Sequence, residues 1–356
     1  MVKIREVKIG NLCVGKNNPV RIKGMLKSST SDTDKLIEEA KRLKEEGAEA
    51  IRVAVKEKKD IFLAKVLKKE VFLPIVADVH FDYRLALSSI GAGFDGVRLN
   101  PLNITKSSEV AQIVKEAKIN NISLRMGINS GGFKRDFSSP KKLADSMVKV
   151  VKDYIKLFEK QGFFDTIVSF KAADIKTTIL ANENFRREFD YPLHLGVTAT
   201  GPFLEGIIKS SLGIGILLYR GIGEIVRVSL SGPSFWEIRV AKFILQFLGI
   251  RNFFCEVISC PTCSRCEVDL VKIVEKVREE IDKLYLGDII KRVAVMGCVV
   301  NGPGEAYQAD IGLAFGKKKG AIFRKDKILG WTNQEKAVRD LIKFIRDMEN
   351  KKDKKR

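Results

Sequence analysis

Eight short apolar runs, each followed by a helical or polar stretch, predict an α/β fold: an N-terminal TIM (β/α)8 barrel followed by a smaller α/β domain. Two further observations support it. The alternation breaks off after Gly249. No glycine-rich turn follows the first strand, as a doubly wound nucleotide-binding sheet would require.

In chain order the predicted strands are Val20–Met25, Ala50–Val55, Pro74–Val79, Gly96–Asn100, Ser123–Asn129, Thr166–Ala172, Leu193–Ala199 and Ile225–Ser231. Helical spacing of apolar residues runs through Asp32–Glu46, Ser107–Asn120, Lys141–Lys160, Ile175–Phe189 and Phe235–Leu248. Residues 1–249 are therefore assigned to the barrel and 250–356 to the second domain. There the predicted order is strand Phe253–Ser259, helix Val268–Leu284, strand Lys291–Met296, strand Asp310–Ala314 and helix Gln334–Glu349, ending in a frayed basic tail.

The barrel strands carry cations. Arg52, Arg98, Arg125, Lys171 and Arg227 each sit among Ile, Val, Leu or Phe. A single buried arginine usually belongs to a structural ion pair, because an unpaired buried charge is costly. Five on different strands of one barrel point instead to a ring at the C-terminal mouth, fit for a multiply charged anion such as a diphosphate. Asp78, His80, Asn100, Asn129, Ser169, His194, Thr198 and Ser229 add polar groups there.

The chain has 356 residues, 45% of them hydrophobic, enough for one large and one small core. The net charge is +20. Lysines alternate with glutamates along helical faces, so this reads as a solvated surface rather than a nucleic-acid footprint, although the field would attract an anionic substrate or an acidic electron carrier. No run of 18 apolar residues occurs, and the N-terminus has no apolar signal core, so the expectation is a cytoplasmic protein without membrane association.

Six cysteines do not make a disulfide framework here, since four crowd into residues 255–266. Cys13, alone in a probable strand, reads as a buried apolar residue. Cys260, Cys263 and Cys298, with Glu305, lie in Ser259-Cys-Pro-Thr-Cys-Ser-Arg and Met296-Gly-Cys-Val-Val-Asn-Gly-Pro-Gly-Glu305. Three thiolates and a carboxylate suit an iron–sulfur cluster with one weakly held corner. A zinc ribbon would want a second Cys-x-x-Cys, and a thioredoxin-like dithiol would lack the remote third thiol. A ferredoxin-like run could recruit Cys266, but Glu267 and Val268 follow it in place of a nearby fourth cysteine and proline. The rival from another class is a basic nucleic-acid-binding protein with structural zinc. It leaves the strand arginines unexplained.

These two cysteine runs resemble those of the 4-hydroxy-3-methylbut-2-enyl diphosphate synthases, the IspG/GcpE family. The likeness continues, in family order, through Val76-Ala-Asp-Val-His-Phe-Asp-Tyr-Arg84, Val97-Arg-Leu-Asn-Pro101, Arg125-Met-Gly-Ile-Asn129, Val168-Ser-Phe-Lys-Ala172, Tyr191-Pro-Leu-His-Leu-Gly-Val-Thr198 and Gly221-Ile-Gly-Glu-Ile-Val-Arg-Val-Ser229. The length resembles the compact bacterial form. The resemblance implies a TIM barrel with a cluster domain. It also implies two-electron reductive ring opening and dehydroxylation of 2-C-methyl-D-erythritol 2,4-cyclodiphosphate, in the non-mevalonate isoprenoid pathway. It implies a [4Fe-4S] cluster on Cys260, Cys263, Cys298 and Glu305, electrons from flavodoxin or ferredoxin, and a homodimer. By motif position, Arg52, Arg98, Arg125, Asn129, Lys171 and Ser229 resemble the diphosphate-binding set, with Arg227, Asp78 and His80 as second-rank members.

Two departures fall at the mouth. The family's Gly-Val-Thr is followed by a glutamate thought to act as an acid, whereas this chain reads Gly196-Val-Thr-Ala-Thr-Gly201. The family's Gln-Ser-Met-Thr is replaced by Lys23-Gly-Met-Leu26. A methyl group carries no proton, so three readings follow. Glu205, His80 or a water supplies it, the acid is dispensable, or the chain is a paralogue acting on another anion.

Overall fold

The computed structural model describes residues 3–133, 137–284, 290–298, 304, 306–317, 319–325 and 327–353, excluding the side chains of 349–353. The chain divides into two compact units, Met1–Asn252 and Phe253–Arg356.

A hairpin of β1 (Glu6–Ile9) and β2 (Leu12–Gly15) opens the first unit, turning at Gly10, whose φ of +57° suits a tight hairpin turn. Cys13 of β2 is half-buried, because this strand lies at the surface rather than inside the barrel. Eight parallel strands follow: β3 (Arg21–Met25), β4 (Ala50–Ala54), β5 (Ile75–Asp78), β6 (Gly96–Leu99), β7 (Ser123–Asn129), β8 (Thr166–Lys171), β9 (His194–Leu195) and β10 (Ile225–Val226). Their order in the sheet is β8-β7-β6-β5-β4-β3-β10-β9. A parallel bridge between Val168 and Leu193 closes the ring.

The helices between them are α1 (Thr33–Glu45), α2 (Leu63–Val71), α3 (Tyr83–Gly91), α4 (Ser107–Ile119), α5 (Pro140–Glu159), α6 (Ile175–Glu188), α7 (Phe203–Tyr219) and α8 (Phe235–Phe247). Side chains cap several where they leave the mouth: Asp32 accepts from Lys35 N, Ser139 from Lys142 N and Asp174 from Thr177 N. Such caps stabilise a helix start by about 1 kcal/mol each. At the opposite end, Val7, Ile9 and Val14 of the hairpin pack on Val76, Ile167 and Ile225 of the strands and plug the bottom with an apolar layer.

The last two barrel strands are shorter than the apolar pattern predicts. Beyond Val226 the backbone finds side-chain partners: Leu230 N donates to Glu237 Oε1 at 2.9 Å, and Ser229 O accepts from Thr200 Oγ1 at 2.8 Å. Side chains thus replace the regular ladder where the chain enters the mouth.

The second unit is a five-stranded sheet in the order β11 (Glu256–Ser259), β12 (Arg292–Met296), β13 (Ile311–Phe315), β14 (Gly320–Arg324), β15 (Lys327–Thr332). The first three strands are parallel, and β14 and β15 form an antiparallel extension absent from the sequence prediction. The charged residues around 316–327 obscure their alternation. Helices α9 (Leu270–Asp282) and α10 (Ala337–Asp353) bury Ile273, Val277, Leu341 and Ile345 in one core with Val293, Val295 and Leu313 of the sheet.

Candidate active site

Alternate barrel strands fill the interior in layers of side chains. Here those layers are charged near the mouth. Strands β4, β6 and β8 bring Arg52, Arg98 and Lys171, and Arg227 directly follows β10. Strands β3, β5, β7 and β9 bring Lys23, Asp78, Arg125 and His194. Asp78, Arg98 and Arg125 are neighbours in the strand register. Two glycines leave the required room. A Cβ on Gly127 would lie 2.9 Å from Arg98 Nε and 3.0 Å from Arg125 Nη2, and one on Gly196 would lie 2.5 Å from Lys171 Nζ. Both belong to motifs quoted above, but only packing reveals why no side chain fits there.

Asp78 is the hub. Its Oδ1 accepts from Arg98 Nη1 at 3.3 Å and its Oδ2 faces Arg52 Nε at 3.5 Å. Arg98 also donates to Gly127 O at 3.0 Å. Arg227 donates to Ser229 Oγ at 2.7 Å and pairs with Glu237 Oε2 at 3.3 Å. Lys27 pairs with the other oxygen of Glu237, at 2.8 Å. Arg125 donates to His194 Nδ1 at 2.6 Å, which makes the imidazole neutral with its proton on Nε2. Glu237 carries no motif signature and was not foreseen from sequence.

Among the described residues, Lys23, Arg52, Arg98, Arg125, Lys171 and Arg227 together face only two carboxylates, Asp78 and Glu237. Lys23, Arg98, Arg125 and Lys171 expose no more than 6% of their surface. The Nε atoms of Arg98, Arg125 and Arg227 and Nε2 of His194 are buried without a partner among the described residues. Burial, then repulsion from neighbouring guanidiniums, holds the Lys23 and Lys171 ammonium groups well below the usual lysine range. Burial and then Lys171 and Arg125 do the same to His194. Burial alone would raise the Asp78 carboxyl, but Arg52, Arg98 and Arg125 outweigh it and hold the group below its ordinary value. Such an excess of buried donors is organised for an anion.

The other predicted residues are distributed around this ring. Asn129 ends β7 and pairs in register with Lys171. His80, half-exposed at the rim, meets Arg98 Nη1 through Nε2 at 2.5 Å and Asn103 Nδ2 through Nδ1 at 3.4 Å. Burial and then Arg98 lower its affinity for a proton. Because Nε2 accepts from a guanidinium, His80 is poorly arranged as an acid at that nitrogen. Glu205 stands exposed in the first turn of α7, close enough to Gly201 that a Cβ there would lie 3.2 Å from Oε2. Ala199 is exposed and left-handed, with φ +51°.

In the second unit Cys260 follows β11, and Cys298 lies two residues beyond β12, whose Val295 is in register with Ser259. Cys260 and Cys298, both buried, therefore share one sheet end. Gly297 N donates to Cys260 Sγ at 3.3 Å. Cys263 is exposed. Cys266 Sγ donates instead to Val268 O at 3.2 Å, and a Cβ on Gly297 would lie 2.4 Å from that sulfur. Glu305 and the Asn301-Gly-Pro turn lie outside the described residues. Among the described residues no three Cys, His, Asp or Glu side chains are gathered as a metal site.

Fold and site together define a TIM-barrel protein with a strongly cationic interior, joined to a cysteine-bearing α/β domain. Comparison with known proteins is more specific. The GcpE TIM-barrel domain matches residues 4–242 and the GcpE protein C-terminal domain matches residues 256–347. The chain belongs to the GcpE family. It is 43% identical over 97% of both chains to the 4-hydroxy-3-methylbut-2-en-1-yl diphosphate synthase (flavodoxin) of Caldanaerobacter subterraneus subsp. tengcongensis. It is 42% identical to the protein of the same name from Bacillus cytotoxicus, over 96% of this chain and 93% of that one. Among solved structures, dihydropteroate synthase from Yersinia pestis superposes with a TM-score of 0.52 at 12% identity, covering 68% of this chain and 98% of its own. The enzyme from Stenotrophomonas maltophilia also gives 0.52, at 13% identity, covering 67% and 97%. Those likenesses concern the barrel fold alone.

Proposed function

We propose that this chain is a 4-hydroxy-3-methylbut-2-enyl diphosphate synthase, the iron–sulfur oxidoreductase that reductively opens 2-C-methyl-D-erythritol 2,4-cyclodiphosphate and removes a hydroxyl group. The observation that carries the reading is the barrel interior, where six cations, four of them buried, face two carboxylates among the described residues. A cyclic diphosphate supplies the missing negative charge. Arg52, Arg98, Arg125, Lys171 and Arg227 bind it, with Asn129 and Ser229 as neutral partners. Asp78 keeps Arg52 and Arg98 in place. Fixed donors of this kind stabilise charge as the ring opens, without reorganisation during the reaction.

A [4Fe-4S] cluster on Cys260, Cys263, Cys298 and Glu305 fits the donors present. Cys260 and Cys298 are buried at one sheet end, and the Gly297 N–H donates to Cys260 Sγ, the kind of bond that tunes a cluster's potential. Cys266 is engaged elsewhere and is left out of the set. When bound, the cluster supplies the electrons, received from flavodoxin or ferredoxin, and a Lewis-acidic iron at the carboxylate corner. A homodimer is the working assembly, consistent with the exposed apolar stripe Leu204, Ile208 and Leu212 along α7. No described helix is long and apolar enough to cross a membrane.

One test addresses both halves. Anaerobically reconstituted protein should carry about four iron and four sulfide per chain and turn over the cyclodiphosphate with a strong reductant. Cys298→Ala should lose the cluster, and Cys266→Ala should keep it. Loss in both would require a different ligand set.

A second reading is motivated by Ala199, which stands where the family has its glutamate: a paralogue with the same cluster and another anionic substrate. An intact cluster without turnover, not restored by Ala199→Glu, would favour it. Turnover by the unmodified chain would mean that the proton comes from Glu205, His80 or water, or that no such acid is needed.

A further inference from the structure

One cation of the barrel lies outside the set assigned by motif. Lys23 is the middle residue of β3, so its Cα sits deeper than those of Lys171, the last residue of β8, and Arg227, beyond the end of β10. It is 3% exposed. The carboxylate that acts on it is Asp78, whose two oxygens are already engaged, one by Arg98 at 3.3 Å and the other by Arg52 at 3.5 Å. Its other charged neighbours, Arg125 and Arg52, repel it. His194 is coupled to it as well, and the Nε2 of that ring is buried without a partner. A structural lysine in such a place would have its own carboxylate. Lys23 has none among the described residues, and its long stem delivers an ammonium group into a chamber of guanidiniums.

We propose that Lys23 is an additional anion-binding residue of the barrel, donating to the most deeply seated phosphate oxygens and setting how far the ligand enters. This rests on the diphosphate reading of the barrel and extends it. An ammonium is a point charge with three rotatable donors and can follow an oxygen that a planar guanidinium cannot face. The ligand is the second anion that this side of the barrel lacks. In the empty protein Lys23 is a burden on stability that binding relieves.

The experiment is calorimetric titration of the full-length protein with inorganic diphosphate, comparing the unmodified chain with Lys23→Gln and Lys23→Met, alongside unfolding curves of each without ligand. Gln is one atom shorter and keeps an amide NH2 donor while removing the charge. Diphosphate affinity should fall roughly ten- to a hundredfold in both variants, as loss of one charge-assisted hydrogen bond implies. The unfolding midpoint of the empty protein should stay or rise. Unchanged affinity in both variants, with Arg98→Met still weakened, overturns the assignment of Lys23 alone. A lower midpoint in both makes Lys23 structural and overturns it too. If the unmodified chain does not bind diphosphate, the parent reading and this one fall together.

Discussion

The two ends of the barrel are built from the same residue types and solve opposite problems. At the N-terminal end, cations meet carboxylates nearly one to one: Arg21 with Glu49 at 2.9 Å, Lys68 with Asp95 at 2.7 Å, Arg186 with Glu224 at 2.8 Å, and Arg5 with Asp190. Arg251 joins Glu49 at 2.6 Å. An apolar hairpin covers that floor. At the mouth, among the described residues, six barrel cations and Lys27 share Asp78 and Glu237. The Nε atoms of Arg98, Arg125 and Arg227 are buried there without a partner, as are Nε and Nη1 of Arg186 at the floor. The bottom closes its charge internally and serves stability. The top leaves its charge open, and the proposed diphosphate would complete it.

Substitutions at the two ends should therefore separate activity from stability. The largest effect is expected for Arg98→Met. Losing a buried guanidinium from the ring should lower turnover of the cyclodiphosphate at least a hundredfold, by analogy with removal of a preorganised donor, while the unfolding midpoint holds or rises. A fall in the midpoint with activity retained would move Arg98 to the structural class. Glu224→Gln should do the reverse. It strands Arg186, whose side chain is 10% exposed, and breaking such a pair costs about 3–5 kcal/mol. Chemical denaturation measures that loss, and turnover per folded molecule should hardly change.

The third prediction concerns pH. Burial and neighbouring cations depress the folded-state proton affinity of His194. Below its ordinary value near 6.5, the unfolded chain takes up a proton that the folded one refuses, so stability falls as the pH drops. The slope from this group approaches about 1.4 kcal/mol per pH unit. Burial raises the Glu224 carboxyl and gives a slope of opposite sign, so the quantity to measure is the difference between the unmodified chain and His194→Gln from pH 7 to 5. Parallel curves would mean that His194 titrates normally. The smallest effect belongs to Ala199. Its left-handed backbone, φ +51°, should make Ala199→Gly stabilising by about 1 kcal/mol, readable as a small rise in the unfolding midpoint.

How much of this was visible beforehand differs between the two units. The six barrel strands from β3 to β8 agree with the apolar runs to within a residue at most ends, because a strand buried on both faces must be continuously apolar. Cations interrupting such runs were the legible sign of the mouth. Beyond β10, Thr200 and Glu237 bond the Ser229 carbonyl and the Leu230 N–H in place of a strand neighbour. Glu237, which belongs to a helix and no motif, could not be read as part of the site. In the second unit β14 and β15 escaped notice, since their pairing follows from a local hairpin rather than from a long apolar run.

What the chain's order of residues determined by itself was the repeated strand–helix alternation, the cation in strand after strand, and the spacing of the cysteines. These are local properties, written in neighbouring side chains. Only the tertiary structure decided which cations would be matched. Closing the ring brings Asp78 against Arg52 and Arg98, Glu237 against Arg227, and Lys23 against further positive charge. Whether a charge is paired depends on residues far apart in sequence, and in a buried site that pairing sets its free energy.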